Sequence, residues 1–141
     1  MKKKAILTII MPLTIMPIVA SAKCSWFDNT NYEEIYIKTY NKSLEYVSSE
    51  NIAWYAKNPK YHEVVANLKQ YRDFLARIEN NRKQKIPYNP LDDSVKWAYQ
   101  KMIMFLQNTN LSFNNWIERI DNNDPDKSCH FPDGFFDQTI N

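Results

Sequence analysis

One stripe of apolar side chains limits what this chain can fold into. The segment Asn58–Asn81 reads NPKYHEVVANLKQYRDFLARIENN. In it Tyr61, Val64, Val65, Leu68, Tyr71, Leu75 and Ile78 recur at intervals of three and four. That interval places all seven on one face of an α-helix and on neither face of a strand. Asn58 suits the cap, and Pro59 suits the first helical position, where the missing N–H costs nothing. Lys69, Asp73 and Arg77 form an i,i+4 ladder on the opposite, wet face. A helix of this length must bury its stripe against other elements, so the flanking segments have to supply partners.

They do so as helices. A first helix is expected from about Asn31, capped by Thr30 or Asn31, with Glu33 and Glu34 at the positive end of its dipole. Its apolar face carries Tyr32, Tyr36, Tyr40 and Tyr46 with Ile35, Leu44 and Val47. Those rings either pack inward with hydroxyls at the rim or form a contact surface for a partner or a sugar. Ser48-Ser49 marks a break, and Glu50–Lys57 continues the helix or forms a short one of its own, ending before Pro59. A basic, turn-rich link is expected from Arg82 to Pro90, because Pro87 and Pro90 exclude a helix interior. A third helix follows from about Asp92 to Asn108, with Leu91, Val95, Ala98, Met102, Phe105 and Leu106 as its core stripe. Leu111-Ser112 then reads as the start of a short fourth helix, with Trp116 and Leu111 as its hydrophobic staple. From about Asp124 the chain is irregular. It holds two of the seven prolines and Gly134, the single glycine. The fold class is therefore all-α: a small bundle of about four helices with an irregular C-terminal tail.

The N-terminus sets the compartment. Lys2, Lys3 and Lys4 precede an uncharged apolar run, Ala5–Ala20, and Ala20-Ser21-Ala22 has the small-residue pattern of a signal-peptidase site. Residues 1–22 are read as a signal peptide and 23–141 as one helical domain. The competing reading is a membrane anchor, for which sixteen residues broken by Pro12 and Pro17 are short. Lys23 before Cys24 departs from a lipobox, so no stable membrane anchor is expected after cleavage. Cleavage removes three of 18 basic residues and none of 16 acidic ones, so the mature chain has one more acid than bases. No concentrated basic patch remains to argue for nucleic acid. Cys24 and Cys129, the only cysteines, favour an intrachain disulfide in an exported chain, with free thiols or a dimer through Cys24 as alternatives. The bridge would tie the tail to the N-terminal arm.

The motifs of catalysis are incomplete. His62-Glu63-Val64-Val65-Ala66 opens like a zinc-protease helix but has Ala66 at the second ligand position. Asp121–Asp126 opens like a calcium loop but places Pro125 at a ligand position and lacks the loop's glycine and terminal glutamate. One glycine is too few for a phosphate-cradling loop. Glu33/Glu34 and Asp92/Asp93 are carboxylate pairs, the minimum for a glycoside hydrolase, yet both sit where helix starts attract acids. No metal and no cofactor are expected.

The segment Cys129-His130-Phe131-Pro132-Asp133-Gly134 resembles the Cys/Pro/Gly element near the end of some small periplasmic immunity proteins that protect bacteria from delivered cell-wall amidases. The resemblance covers those six residues and implies no functional residues.

The expectation for function is a periplasmic or secreted binding protein, an inhibitor, immunity or accessory factor, whose partner is another exported protein. A carrier of a small apolar or sugar ligand in an aromatic-lined pocket is the alternative, and a weak hydrolase a third. On the third helix Trp97 and Met104 lie seven residues apart and off the core stripe, while Tyr99 and Ile103 widen that stripe on its other side. A helix apolar nearly all round is buried on several sides or carries a surplus face. Trp97, Met104, Tyr99 and Ile103 are the candidate partner surface.

Overall fold

The computed structural model describes residues 29–126 and 131–139. Among them are four α-helices and no strand: α1 (Tyr32–Tyr46), short α2 (Ser49–Ala56), α3 (His62–Lys85) and α4 (Asp93–Asp121). Three-residue 3-10 turns precede α3 at Pro59–Tyr61 and close the tail at Phe135–Asp137.

Local chemistry fixes most of the starts. The Asn31 side chain accepts from the Glu34 amide at 3.2 Å, and Ser48 accepts from Asn51 at 3.1 Å, so α2 is a separate helix. Asn58 accepts from Lys60 at 3.0 Å and starts the turn that feeds α3. Asp92 accepts from the amides of Ser94 and Val95 at 2.9 and 3.4 Å. Each satisfies a backbone donor that a helix start leaves open.

The stripe on α3 is the core of the bundle. Tyr61, Val64, Leu68, Tyr71, Leu75 and Ile78 are buried, Val65 is half-buried, and Phe74 joins them. Two helices flank it. Tyr36 meets Glu79 and Tyr40 meets the Leu75 carbonyl, so α1 runs opposite to α3. Tyr36 packs edge-on to Tyr99, Asn110 donates to Ser43 and Asn114 to Tyr46, so α1 and α4 run side by side in one direction. The tyrosine face of α1 is thus core: Tyr32, Tyr36 and Tyr46 are buried and Tyr40 half-buried. The Glu34–Lys38 pair lies on the wet side at 3.7 Å.

Three expectations are corrected. First, the third and fourth helices are one helix of 29 residues with no break at Asn108–Ser112. Nothing between Asp93 and Asp121 is proline or glycine. The polar run that imitates a helix end contains Asn110, whose amide is consumed inside the bundle. The Tyr71 hydroxyl donates to Asn110 Oδ1 at 2.7 Å, Asn110 Nδ2 donates to Ser43 Oγ at 3.0 Å, and Ser43 donates to the Thr39 carbonyl at 3.0 Å. A buried asparagine so engaged is a reason to continue the helix, since ending there would strip these groups of partners. Second, α3 extends to Lys85, and Arg82 is buried rather than part of a surface link. Third, Leu91 lies before the cap and is 93 % exposed, so it is no core residue. Among the described residues one non-glycine residue is left-handed, Asn123 at φ 54°, just beyond the C-cap of α4.

The tail is less irregular than its composition implies. Phe131 and Phe136 are buried and Phe135 half-buried, all in ring contact with the helices. Gly134, φ 78°, turns the chain into the final 3-10 turn. The expected disulfide partners Cys24 and Cys129 and the expected signal peptide lie outside the described residues.

Candidate functional site

The four candidate contact residues separate into two pairs. Tyr99 is wholly buried and Ile103 is 1 % exposed, so neither belongs to a contact surface. The Tyr99 hydroxyl donates to the Ile86 carbonyl at 2.7 Å, and its ring stands edge-on to Tyr36 and Tyr88. Trp97 is 54 % exposed and Met104 is half-buried. The helix continuing past Asn108 adds a third member to their line, Leu111, which is 36 % exposed. Residues 97, 104 and 111 recur every seven positions, so they form one stripe about 21 Å long at 1.5 Å per residue. Their neighbours along the outer face are Lys101, Asn108 and Asn115. Sequence reasoning missed Leu111 because the predicted break at Asn108 assigned it to another helix. Heptad spacing across that polar run was the available signal.

The most concentrated charge lies elsewhere, where α1, α3 and the link to α4 meet. Arg82, 7 % exposed, donates from Nε and Nη2 to the two carboxylate oxygens of Glu79 at 2.8 and 3.0 Å. Its Nη1 donates to Glu33 at 3.2 Å and to the Tyr99 hydroxyl at 3.3 Å. Tyr36 donates to Glu79 at 2.9 Å, and its ring centroid lies 5.1 Å from the guanidinium. Burial works against the charge on Glu79, but hydrogen bonds from Arg82 and Tyr36 outweigh it and hold the carboxyl below its usual range. Burial, with the nearby Glu79 charge, pushes the Tyr36 phenol up. The hydrogen bond to Glu79 raises Arg82 further. The acid is held ionised and the phenol neutral, and Glu79 accepts three hydrogen bonds with Lys83 Nζ 3.8 Å away. This is a clasp between helices. A general acid or base needs a pKa near the working pH and a free position for substrate.

The carboxylate pairs serve structure as well. Glu33 belongs to the clasp, and Asp92 caps α4, its carboxyl lowered by the Ser94 hydroxyl and the Val95 and Ser94 amides. Among the described residues no three His, Cys, Asp or Glu side chains come together to hold a metal ion. His62 is exposed at the start of α3, and His130 lies outside the described residues. Among the described residues no helix is long and apolar enough to cross a membrane.

No family model, curated protein or solved structure matches this chain.

Proposed function

We propose that this protein is a small exported binding protein that works by contact with another periplasmic or secreted protein, as an inhibitor, immunity or accessory factor. The observation that carries the reading is the outward stripe Trp97–Met104–Leu111 on α4. A half-exposed tryptophan beside a flexible thioether, rimmed by polar groups, has the composition of an interface hot spot. The stripe is narrow. Its companion row is Lys101, Asn108 and Asn115, which cannot form the second apolar line of a paired helix seam. That favours a partner presenting a complementary apolar ridge over a second copy of this face. The export reading rests on Lys2–Lys4, the apolar run Ala5–Ala20 and the Ala20-Ser21-Ala22 site.

The aromatic residues that would line a ligand pocket are engaged with one another instead. Tyr36 contacts Tyr40 and Tyr99, Tyr55 contacts Trp54 and Tyr61, and Tyr71 contacts Phe74 and Phe113. This favours protein contact over a small-ligand carrier.

The test places a photo-crosslinking residue at position 97, at 111 and, as a control, at Lys69 on the wet face of α3, in cells that make the full chain. A discrete heterologous adduct from 97 and 111, absent from 69 and lost on Met104→Glu, supports the reading. Equal yields from all three positions, or adducts of homodimer mass alone, overturn it.

A further inference from the structure

A second face of the bundle carries apolar groups that the fold leaves in water. On α1, Ile37 is 42 % exposed and Leu44 is 39 % exposed, with half-buried Tyr40 between them. Spacings of three and four put all three on one line, about 10 Å long at 1.5 Å per residue. That line borders α3. Glu33, on the same line, accepts from Arg82 at 3.2 Å, and Tyr36 beside it donates to Glu79 at 2.9 Å. The Tyr40 hydroxyl donates to the Leu75 carbonyl at 3.2 Å. Continuing that register sets Ile37 level with Ala76 and Glu79, and Leu44 level with Arg72. The facing line on α3 is Val65, Arg72, Ala76, Glu79 and Lys83, in which Val65 is half-buried and Ala76 exposed. The two lines are the walls of a groove. Its floor is Tyr40, whose ring stacks on Tyr36 with centroids 5.8 Å apart.

The charges along this groove do not cancel. Arg82 holds Glu33 and Glu79, and Lys83 Nζ lies 3.8 Å from Glu79. Arg72 is exposed and forms no ion pair or hydrogen bond among the described residues. Two carboxylates are therefore set against three cations. Of the other acids nearby, Glu34 is paired with Lys38 at 3.7 Å. Glu45 and Asp73 lie about 100° further round α1 and α3, toward solvent. We propose that this groove docks an amphipathic helix of a partner protein, its apolar side chains on Ile37, Tyr40 and Leu44 and a carboxylate on Arg72. Residues spaced by three and four form the ridges against which another helix packs. The small side chain of Ala76 lets that helix come close, and the planar guanidinium of Arg72 suits a carboxylate in two-point contact. One surplus positive charge is too few to hold an anionic lipid surface, which takes a cluster of basic groups. The proposal goes beyond the contact stripe on α4, which involves other residues, and does not rest on it.

The probes are two fluorescent designed helical peptides that share one leucine stripe, flanked by glutamate in one and by lysine in the other. Each is titrated into the full chain and followed by anisotropy. The proposal expects the glutamate peptide to bind saturably and about tenfold more tightly than the lysine peptide. Its addition should shift the methyl resonances of Ile37 and Leu44 and leave those of Met104 and Leu111 in place. Ile37→Lys and Arg72→Glu should each weaken binding about tenfold, while Met104→Glu on the outer face of α4 leaves it unchanged. Ile37 and Arg72 are exposed, so both variants should melt close to the parent. Equal affinity for the two peptides overturns the proposal, as does the absence of saturable binding or a shift centred on Met104 and Leu111. Melting temperatures lowered as far as by Leu68→Ala would assign the line to the fold and overturn it too. Binding to anionic lipid vesicles with the same dependence on Arg72 would overturn it in favour of a membrane surface.

Discussion

Asn110→Ala probes the feature that makes α4 one helix. Asn110 is 8 % exposed and Tyr71 wholly buried, so water cannot replace what the substitution removes. The variant deletes the acceptor of the Tyr71 hydroxyl and the donor to Ser43 Oγ. Stranding a buried hydroxyl costs about 1–3 kcal/mol, and the second bond is worth about 1 kcal/mol. Alanine recovers up to about 0.7 kcal/mol through its higher helix propensity. The net loss is about 2–3 kcal/mol, which urea unfolding at unchanged m resolves. Tyr71→Phe alone should cost about 1–1.5 kcal/mol, the typical net worth of one bond. The double variant should fall short of the sum by about 1 kcal/mol, because the groups share one network. Asn114→Ala should cost less than Asn110→Ala. Asn114 donates to Tyr46, but its Oδ1 is buried without a hydrogen-bond partner, so removing the amide also removes that penalty. A loss below about 0.5 kcal/mol for Asn110→Ala, or additive effects with Tyr71→Phe, would refute the network as the reason the helix continues.

Leu68→Ala, in the middle of the α3 stripe and fully buried, should cost about 2–5 kcal/mol. Exposed Lys69→Ala should cost under about 0.5 kcal/mol, and equal costs in a denaturant titration would mean the wrong face was assigned. Glu79 has a folded-state pKa below its ordinary value of 4.5, so its contribution is complete above about that pH and is lost as the pH falls through the folded value. The melting temperature should therefore drop on acidification below about pH 4.5, and Glu79→Gln should flatten that part of the profile; an unchanged acid limb would show that the clasp does not couple to folding. Burial raises the phenols of Tyr36, Tyr46, Tyr55 and Tyr71, so their ultraviolet ionisation above pH 10 should coincide with loss of the helical signal rather than precede it. Intact mass of the exported protein should match a chain beginning at Lys23, and a lipid on Cys24 or retention of residues 1–22 would contradict the processing expectation.

The helical class and the buried face of α3 were legible because periodicity reports burial directly. The caps at Asn31 and Asn58 were legible for a similar reason, since they act within three residues of themselves. What lay out of reach was decided across the bundle. Asn110 reads as a helix stop until Tyr71 and Ser43 are placed beside it, 39 and 67 residues away in sequence. Arg82 reads as surface charge until Glu33, Glu79 and Tyr99 surround it. Tyr99 and Ile103 resemble Trp97 and Met104 in composition, and only the packing of α1 and α3 against α4 tells core from rim. The docking of Phe131, Phe135 and Phe136 was hidden because a tail with proline and glycine carries no period.

The functional account depends on Trp97 being held by α4 without being needed by the fold. Chemical unfolding of Trp97→Ala beside Tyr99→Ala tests this on the purified protein. With Trp97 54 % exposed, the account predicts a loss of about 2 kcal/mol or less, because only about half of its surface leaves water on folding. Tyr99→Ala, fully buried and bonded to Ile86, should lose about 3–5 kcal/mol, as large aromatic truncations in cores do. A loss for Trp97→Ala as large as that for Tyr99→Ala would make the tryptophan a structural residue and remove the stripe as a contact face.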